Sequence, residues 1–355
     1  MPQIIENPKT YSGRELETIF FRPMLTGPDA MDLGVRIMYN MPVPTTIQLW
    51  DRAGDALMKY AKGWTGGDLA KKLQKTINLQ KVKAEMGYSA QDYFSMIYEL
   101  ITNRADVNLD DLSGTELEQA ETTLFRRAIA ESIRVTMWLG DTSREGSHKY
   151  NSFDGFLKAI KRDLTTDADT DVDAAKKIKA VKIPDMTTAD AAISLFERLW
   201  DNAPLYLQDM KDEGNLVFNV TADVYHNYEK SLEGTYLESA FAALQNGRRK
   251  LTWRGIPIVN VGLTGYLSSY EDMPQSFGIL TDRRNLTLAV NTSDFPGNEV
   301  RMWYNPDEME NRQRAIFMAG CEYLEPRLMV AALDKEKPST SGDTAETKDN
   351  TETTE

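Results

Sequence analysis

The chain has 355 residues, which is enough for two or three compact units with cores of their own. Its formal net charge of -13 argues against a dedicated nucleic-acid-binding protein, because affinity for phosphate comes from clustered lysine and arginine. The single cysteine, Cys321, excludes a disulfide within the chain. The sequence has neither a long apolar stretch nor the features of a signal peptide, so we expect a soluble, intracellular product.

Residues 1–33 form a segment that cannot build a core of its own. They carry four prolines and show no sustained hydrophobic period. We predict an N-terminal arm that lies along its own body or along a neighbour, with a helical turn or two at 13–21.

A long projecting hairpin is predicted over 34–87. Its outgoing strand, 35–50, is rich in β-branched and aromatic residues, and two prolines keep it off the centre of a sheet. Residues 76–88 form the returning strand. A basic flank is predicted along the hairpin, either as a solvated face or as a contact with an acidic neighbour. Its members are Lys71, Lys72, Lys75, Lys81 and Lys83.

The strongest local signal is a helix over 114–139. Ser113 and Glu116 form a capping box, apolar residues recur with a period of 3.6, and Gly140 is expected to supply a left-handed C-terminal cap. Such a helix is about 40 Å long. This length suits the spine of a plate-shaped subunit, although an ordinary α+β domain can also contain one helix of this length.

The rest of the sequence alternates short helices and strands. Further helices are predicted at 89–102, 153–164, 187–200 and around 223–232. Further strands are predicted at 216–220, 251–261, 277–280, 286–291 and 301–304 and as two apolar runs within 315–333, separated by Glu325-Pro326. Residues 335–355 contain no large apolar residue, so we expect a disordered acidic tail.

No residue pattern indicates a catalytic or metal site. The two histidines, His148 and His226, give with Cys321 neither a metal-ligand spacing nor a nucleophile with its base. Cys321 lies in an apolar run and is predicted to be a buried small hydrophobe. The acidic run at 167–173 lacks the glycine and the glutamate that a calcium loop requires. We therefore expect no cofactor and no metal.

The order of these parts resembles the major capsid proteins of tailed double-stranded DNA phages with the Hong Kong 97 fold. The likeness rests on the spine ending Trp138–Asp141, the glycine-containing helix start Phe153–Leu157, the strand Leu251–Val259 and the closing segment Gln313–Leu333. The helix, strand and helix over 187–225 complete the series. Together the likeness covers about 34–334, which is nearly the whole folded part.

The resemblance implies an α+β fold of the Hong Kong 97 type, built from an arm, a hairpin called the E-loop and two domains. The implied parts are the N-terminal arm at 1–33, the E-loop at 34–87, a peripheral domain at 88–185 and 312–334 with the spine helix at 114–139, an axial domain at 186–311, and the tail at 335–355. Because no long N-terminal extension is present, scaffolding by a separate protein is implied.

The resemblance also implies a structural protein rather than an enzyme. Such a protein self-assembles into hexamers and pentamers of an icosahedral head shell and encloses DNA without sequence-specific binding. Its partners would be portal, scaffolding and decoration proteins, and it would be made in the host bacterial cytoplasm and reside in the virion. The negative net charge suits an inner wall that confines DNA without gripping it.

Within this reading, residues of the hairpin become contacts between subunits, because they are poorly placed for burial in their own chain. The predicted contacts are Ile37, Tyr39, Trp50, Trp64, Lys71 and Lys72. An encapsulin-like compartment shell shares the implied fold and stays open as an alternative. An enzyme with an unrecognised site is the alternative from another class.

Overall fold

The structure, a computed structural model, describes most of the chain from residue 9 to residue 334. The described residues are 9–22, 25, 34–40, 45–50, 62, 72–89, 115–165, 177–235, 251–270, 273–291, 298–305, 307–308 and 310–334. The helix predicted at 89–102, the predicted cap residue Ser113 and the predicted tail at 335–355 lie outside them.

The described residues form an α+β fold. The strands are β1 (Lys9–Ser12), β2 (Arg36–Tyr39), β3 (Thr45–Trp50), β4 (Lys72–Ile77), β5 (Gln80–Ser89), β6 (Leu164–Thr165), β7 (Ile178–Ala180), β8 (Leu216–Val220), β9 (Thr252–Trp253), β10 (Ile256–Asn260), β11 (Gly278–Asp282), β12 (Leu286–Asn291), β13 (Glu299–Asn305), β14 (Glu310–Tyr323) and β15 (Met329–Ala332). The helices are α1 (Gly13–Glu15), α2 (Thr115–Leu139), α3 (Phe156–Asp163), α4 (Ala191–Asp201), α5 (Leu205–Asp209), α6 (Ala222–Thr235) and α7 (Thr264–Leu267). A π-helical segment, Leu16–Phe21, continues α1. None of the helices in the described ranges is long and apolar enough to cross a membrane.

Two sheets make up the body. In the six-stranded sheet the order is β1-β13-β14-β12-β2, and β5 pairs with the other edge of β14. The seven-stranded sheet has the order β6-β7-β15-β11-β8-β10-β9. At 14 residues, β14 is long enough to pair with β13 and then β12 along one edge and with β5 along the other.

The spine helix α2 is confirmed, and its apolar face lies in the main core. Phe125, Ile129, Ile133 and Met137 are buried at helical spacing, and the same core contains apolar residues of α3 and of both sheets. A second core lies between the seven-stranded sheet and the helices α4 and α6. There Phe196 packs against Phe218 with a ring-centroid distance of 4.8 Å.

Gly140 ends α2 for a different reason from the one predicted. Its φ is not in the left-handed region. A side chain is excluded because a Cβ would overlap the Phe153 carbonyl oxygen and lie 2.5 Å from the Thr136 carbonyl oxygen. The glycine is therefore required by close packing of two backbone segments rather than by a helix cap.

The N-terminal arm packs on its own body. Strand β1 pairs with β13, and Leu16 and Phe21 are buried in the main core. The ring of Phe21 meets that of Phe317 edge to face at 4.9 Å. Of the two placements predicted for the arm, its described residues therefore adopt the one on the same chain.

The predicted hairpin is confirmed in its outer part, where β3 and β4 pair antiparallel over six residues each. The two ends of the predicted range, β2 and β5, are strands of the six-stranded sheet. Strand β2 lies at an edge of this sheet, as the prolines predicted, and β5 pairs with β14. The part that leaves the body is therefore shorter than 34–87, because backbone pairing holds both ends of that range in the sheet.

Two further observations concern the predicted domain boundaries and the closing strands. The boundaries predicted at 87/88 and 311/312 fall inside β5 and β14, so strand pairing continues across them. The two strands predicted within 315–333 exist, but β14 and β15 belong to different sheets. The Asn285 side-chain oxygen accepts hydrogen bonds from the backbone of Leu324 and Glu325 and fixes the chain where it crosses between the sheets. The domain division itself stays a prediction.

Candidate assembly interface

The register of β3 and β4 gives the outer hairpin two different sides. One side of the hairpin is made of alternate positions in both strands. These are Ile77, Lys75 and Leu73 in β4 and, opposite them, positions 45, 47 and 49 in β3. Ile77 is buried in a small cluster against Leu79 and Met318, at the base of the hairpin. Gln74 and Thr76, which alternate with it, are exposed. The sequence pattern of the two strands is thus amphipathic, as expected of a ribbon that lies on another surface.

Lys75 fastens the returning limb of the hairpin to the body. Its Nζ lies 3.1 Å from Oε1 of Glu322 and 3.7 Å from the ring centroid of Tyr323. The Tyr323 hydroxyl donates a hydrogen bond to Asp163, which also pairs with Arg162 at 2.7 Å. One member of the predicted basic flank therefore contacts acidic and aromatic groups of its own chain.

The Asp163 carboxyl group and the Tyr323 hydroxyl, which lie near Lys75, keep their ordinary charge states. Burial alone would raise the pKa of Asp163, but hydrogen bonds from Arg162 and Tyr323 outweigh it and lower that pKa. Burial and the bond to Asp163 raise the pKa of the Tyr323 hydroxyl. The carboxylate therefore stays ionised and the phenol stays protonated at neutral pH.

Four of the six predicted contact residues fall in the described backbone. Ile37 and Tyr39 are half-buried in β2 and pack against the main core of their own chain. Trp50 and Lys72 stand directly opposite each other at the outer end of the β3–β4 register. Trp64 and Lys71 lie outside the described residues. The role of these six positions as contacts between subunits stays a prediction.

The C-terminal end of α2 is joined tightly to α3. The backbone N–H of Gly155 donates a 2.8 Å hydrogen bond to the Gly140 carbonyl oxygen. Lys158 of α3 lies 2.6 Å from Asp141 and 2.7 Å from Asp154. The indole of Trp138 is buried beneath this joint, with its ring centroid 5.3 Å from that of Phe156 and 5.6 Å from that of Phe277.

Asp141 is strongly acidic because of its contacts with Lys158 and Ser143. Burial would raise its pKa, but hydrogen bonds from these two side chains and the Ser143 backbone outweigh burial and lower the pKa to about 2. The carboxylate is thus ionised throughout the physiological range and holds the two helices together.

A second joint connects the last third of α2 to the loop after β10. Arg134 donates hydrogen bonds to the carbonyl oxygens of Val261 and Gly262 at 3.3 and 3.1 Å, and its guanidinium lies 2.5 Å from Glu131. The Tyr266 hydroxyl donates to the same carboxylate at 2.7 Å. With the joint at Gly140, this contact ties the C-terminal part of α2 to two neighbouring segments.

A groove of about 730 Å³ runs between α2 and β5. Its lining is apolar along Phe125, Ile129 and Phe153, with serine, asparagine and the exposed His148 at one end. Within the part of the chain that the structure describes, no three histidine, cysteine or carboxylate groups lie close enough to hold a metal ion. His226 is exposed on α6, 3.4 Å from Glu229.

Cys321 is partly buried and packs against the main core, rather than lying fully inside it as predicted. Its Sγ donates to the Asp154 carbonyl oxygen at 3.0 Å. Burial, followed by the nearby charges of Glu322 and Asp154, raises the pKa of the thiol well above its ordinary value. The reactive thiolate form is therefore disfavoured.

The described residues define a class of α+β subunit with a spine helix, two sheets and a two-stranded hairpin. The solved structures to which this fold is similar include a phage procapsid and a phage capsid. A chain of the satellite phage P4 procapsid with its size determination (Sid) protein has a TM-score of 0.49 at 12% sequence identity, covering 85% of this chain and 86% of that one. For Gordonia phage Cozz the TM-score is 0.45 at 12% identity, with 86% and 85% covered. The capsid of Ralstonia phage GP4 has a TM-score of 0.45 at 12% identity, with 92% and 93% covered. No family model and no curated protein matches the sequence.

Proposed function

We propose that this protein is a major capsid protein that self-assembles into hexamers and pentamers of an icosahedral head shell enclosing phage double-stranded DNA. The observation that carries the proposal is the contrast between a rigid two-sheet body and an outer hairpin. Among the described strands, β3 and β4 pair only with each other. A two-stranded ribbon alone is marginally stable in water, so this hairpin requires a second surface.

A neighbouring copy is the surface that best fits the hairpin. The register puts Ile47, Leu49 and Leu73 on the same side as Ile77, so the sequence pattern of this side is mainly apolar. When the hairpin of one copy lies on the body of the next, the contact is heterologous, and its repetition closes into rings. Rings of this kind, joined with slight bending, give a closed shell.

The contacts of the spine helix suit a shell subunit that must keep its shape. The C-terminal part of the helix is held by Asp141 with Lys158 and by Arg134. The proposal agrees with the similar structures named above, which are capsids and a procapsid. The protein would act in the virion as a structural component rather than an enzyme, after synthesis in the host bacterial cytoplasm.

The proposed partners follow from this role. Portal, scaffolding and decoration proteins would contact the shell, and DNA would be enclosed without sequence-specific recognition. The net charge of -13 supports an inner wall that repels the DNA backbone and leaves it free to move during packaging.

The assembly state of the full-length protein tests the proposal. Sedimentation velocity, with negative-stain electron microscopy of the fastest fraction, is expected to show rings or closed shells, alone or after co-expression with a scaffolding protein. Leu49→Asp, on the apolar side of the register, is expected to abolish them, whereas the matched change Gln74→Asp on the exposed side is expected to preserve them. Circular dichroism checks that both variants fold.

Two results would contradict the proposal. One is a wild-type protein that stays strictly monomeric even with scaffold, and the other is normal assembly by a folded Leu49→Asp variant. The content of particles purified from infected cells separates the capsid from the compartment alternative. A capsid contains DNA, whereas a compartment shell contains protein cargo.

A further inference from the structure

The outgoing limb of the hairpin leaves the body at Asn40, which directly follows β2. Asn40 has a φ of 54°, in the left-handed region that asparagine tolerates better than most residues. Its backbone N–H donates a 3.0 Å hydrogen bond to the Val290 carbonyl oxygen of β12. The backbone at Asn40 is therefore fixed to the sheet at the position where the chain turns away toward β3.

The side chain of Asn40 is held by the N-terminal arm. Its Nδ2 donates a hydrogen bond to Oε2 of Glu17, a residue 23 positions earlier in the sequence. The other carboxylate oxygen of Glu17 accepts from Nε of Arg22 at 2.7 Å. Glu17 is only 7% exposed, so leaving its carboxylate without these partners would be costly, although Arg22 and Asn40 themselves reach the surface.

Glu17 is itself firmly placed. The arm pairs with β13 through β1, and Phe21 packs against Phe317 in the main core. The guanidinium of Arg22 lies 5.4 Å from the ring centroid of Tyr39, the residue before Asn40. The arm thus contacts both residues at the exit of the hairpin.

The two limbs of the hairpin are consequently held by different parts of the chain. Lys75 fastens the returning limb to Glu322 and Tyr323, which belong to the body. Glu17 fastens the outgoing limb to the arm. When the Glu17 contact is lost, the outgoing limb keeps the backbone pairing of β2 with β12 but loses a side-chain contact beyond it, whereas the contacts of Lys75 on the returning limb are unchanged.

We infer that Glu17 is a positioning residue through which the N-terminal arm sets the direction of the hairpin. Loss of the Glu17 carboxylate alters this direction while Leu16 and Phe21 stay in the main core. The consequence for shell geometry rests on the proposed function, because the hairpin direction would set the angle between neighbouring copies. The coupling itself is a property of the single subunit.

The inference is tested on the unassembled full-length protein by measuring distances between two spin labels. In a Cys321→Ala background, labels are placed at the exposed positions Thr46 in β3 and Lys161 in α3. Glu17→Ala removes the acceptor, and Asn40→Gly removes the donor while keeping the left-handed backbone accessible. Each change is expected to broaden the distance distribution, and the double variant is expected to be no broader than either single variant.

Glu15→Ala is the matched control, because Glu15 is exposed two residues away in the same arm. It is expected to leave the distribution unchanged. The inference is overturned if Glu17→Ala and Asn40→Gly leave the distribution as narrow as in the unsubstituted protein, or if their effects add. Should Glu17→Ala fail to fold, Asn40→Gly still decides the question.

Shell formation gives a separate readout. With the proposed function correct, Glu17→Ala is expected to widen the distribution of particle diameters in electron micrographs. A protein that forms no shells but shows the coupled distances refutes the proposed function and leaves the inference intact. A protein that forms shells but shows no coupling between Glu17 and Asn40 refutes the inference and leaves the proposed function intact.

Discussion

Gly140 and Gly155 are in backbone contact, and neither position has room for a side chain. The Gly155 N–H donates to the Gly140 carbonyl oxygen at 2.8 Å, and a Cβ on Gly155 would lie 2.7 Å from the Gly140 nitrogen and from the Trp138 carbonyl oxygen. This contact brings α3 against the end of the spine helix. The two helices can therefore approach this closely because both contact residues are glycines.

Gly155→Ala is expected to destabilise the protein strongly, because the new methyl group would push against backbone atoms that cannot move aside. A loss of about 3 kcal/mol in the free energy of unfolding is expected, as for severe overpacking. Gly265→Ala is the control, since a Cβ there meets nothing within 4 Å. Urea unfolding measures both variants, and equal stabilities would contradict the assigned role of Gly155.

The Asp141 carboxylate is expected to make stability depend on pH at the acid end. Its pKa is about 2 in the folded protein and near 3.9 when unfolded, so its contribution is complete above pH 4 and is lost as the pH falls through 2. The side chain is 14% exposed, and the contribution is about 2 kcal/mol. Unfolding of Asp141→Asn and of the unsubstituted protein at pH 7 and pH 2 checks this. A stability difference that stays constant with pH would be inconsistent with it.

Lys75→Met is expected to loosen the hairpin with little effect on the rest of the body. The lysine is partly buried against Glu322 and Tyr323, so losing both contacts is expected to cost about 1 kcal/mol. Hydrogen exchange of the β4 amides should accelerate, while exchange in β8 should not change. Lys83→Met, which removes an exposed pair with Glu85, is the matched control and should leave β4 exchange as it was.

The Cys321 thiol is expected to resist alkylation in the folded protein. Its pKa is raised by burial, so the thiolate fraction at pH 8 is lower than for an exposed cysteine. Labelling with iodoacetamide should be slow in native buffer and fast in urea. In a Cys321→Ala background, Ser143→Cys provides an exposed thiol that should react quickly in both conditions. Rapid native labelling of Cys321 would show that the site opens.

The sequence predicted the elements whose cause is local. The spine helix was expected at 114–139 and is found at Thr115–Leu139, because 25 residues of a 3.6 period leave little choice. The short strand Leu216–Val220 was likewise predicted correctly, since five consecutive buried residues indicate a central strand. In both cases the pattern depends on near neighbours in the chain.

Contacts between distant segments could not be predicted in this way. Nothing around Glu17 indicates that it accepts a hydrogen bond from Asn40, because a carboxylate in an arm usually faces water. The side of the sheet that Lys75 occupies depends on the β3–β4 register, which propensity alone does not give. The same limit applies to β14 and β15, because their membership of different sheets becomes evident only when β11 and β8 are in place.

The pairing of β5 with β14 has a mechanical consequence. The two strands are joined antiparallel over ten residues, and β5 continues directly from the returning limb of the hairpin. A pull on the hairpin along the strand axis therefore loads all of these hydrogen bonds together, in shear, rather than opening them one at a time. The load then spreads through β14 into its other partners, β12 and β13.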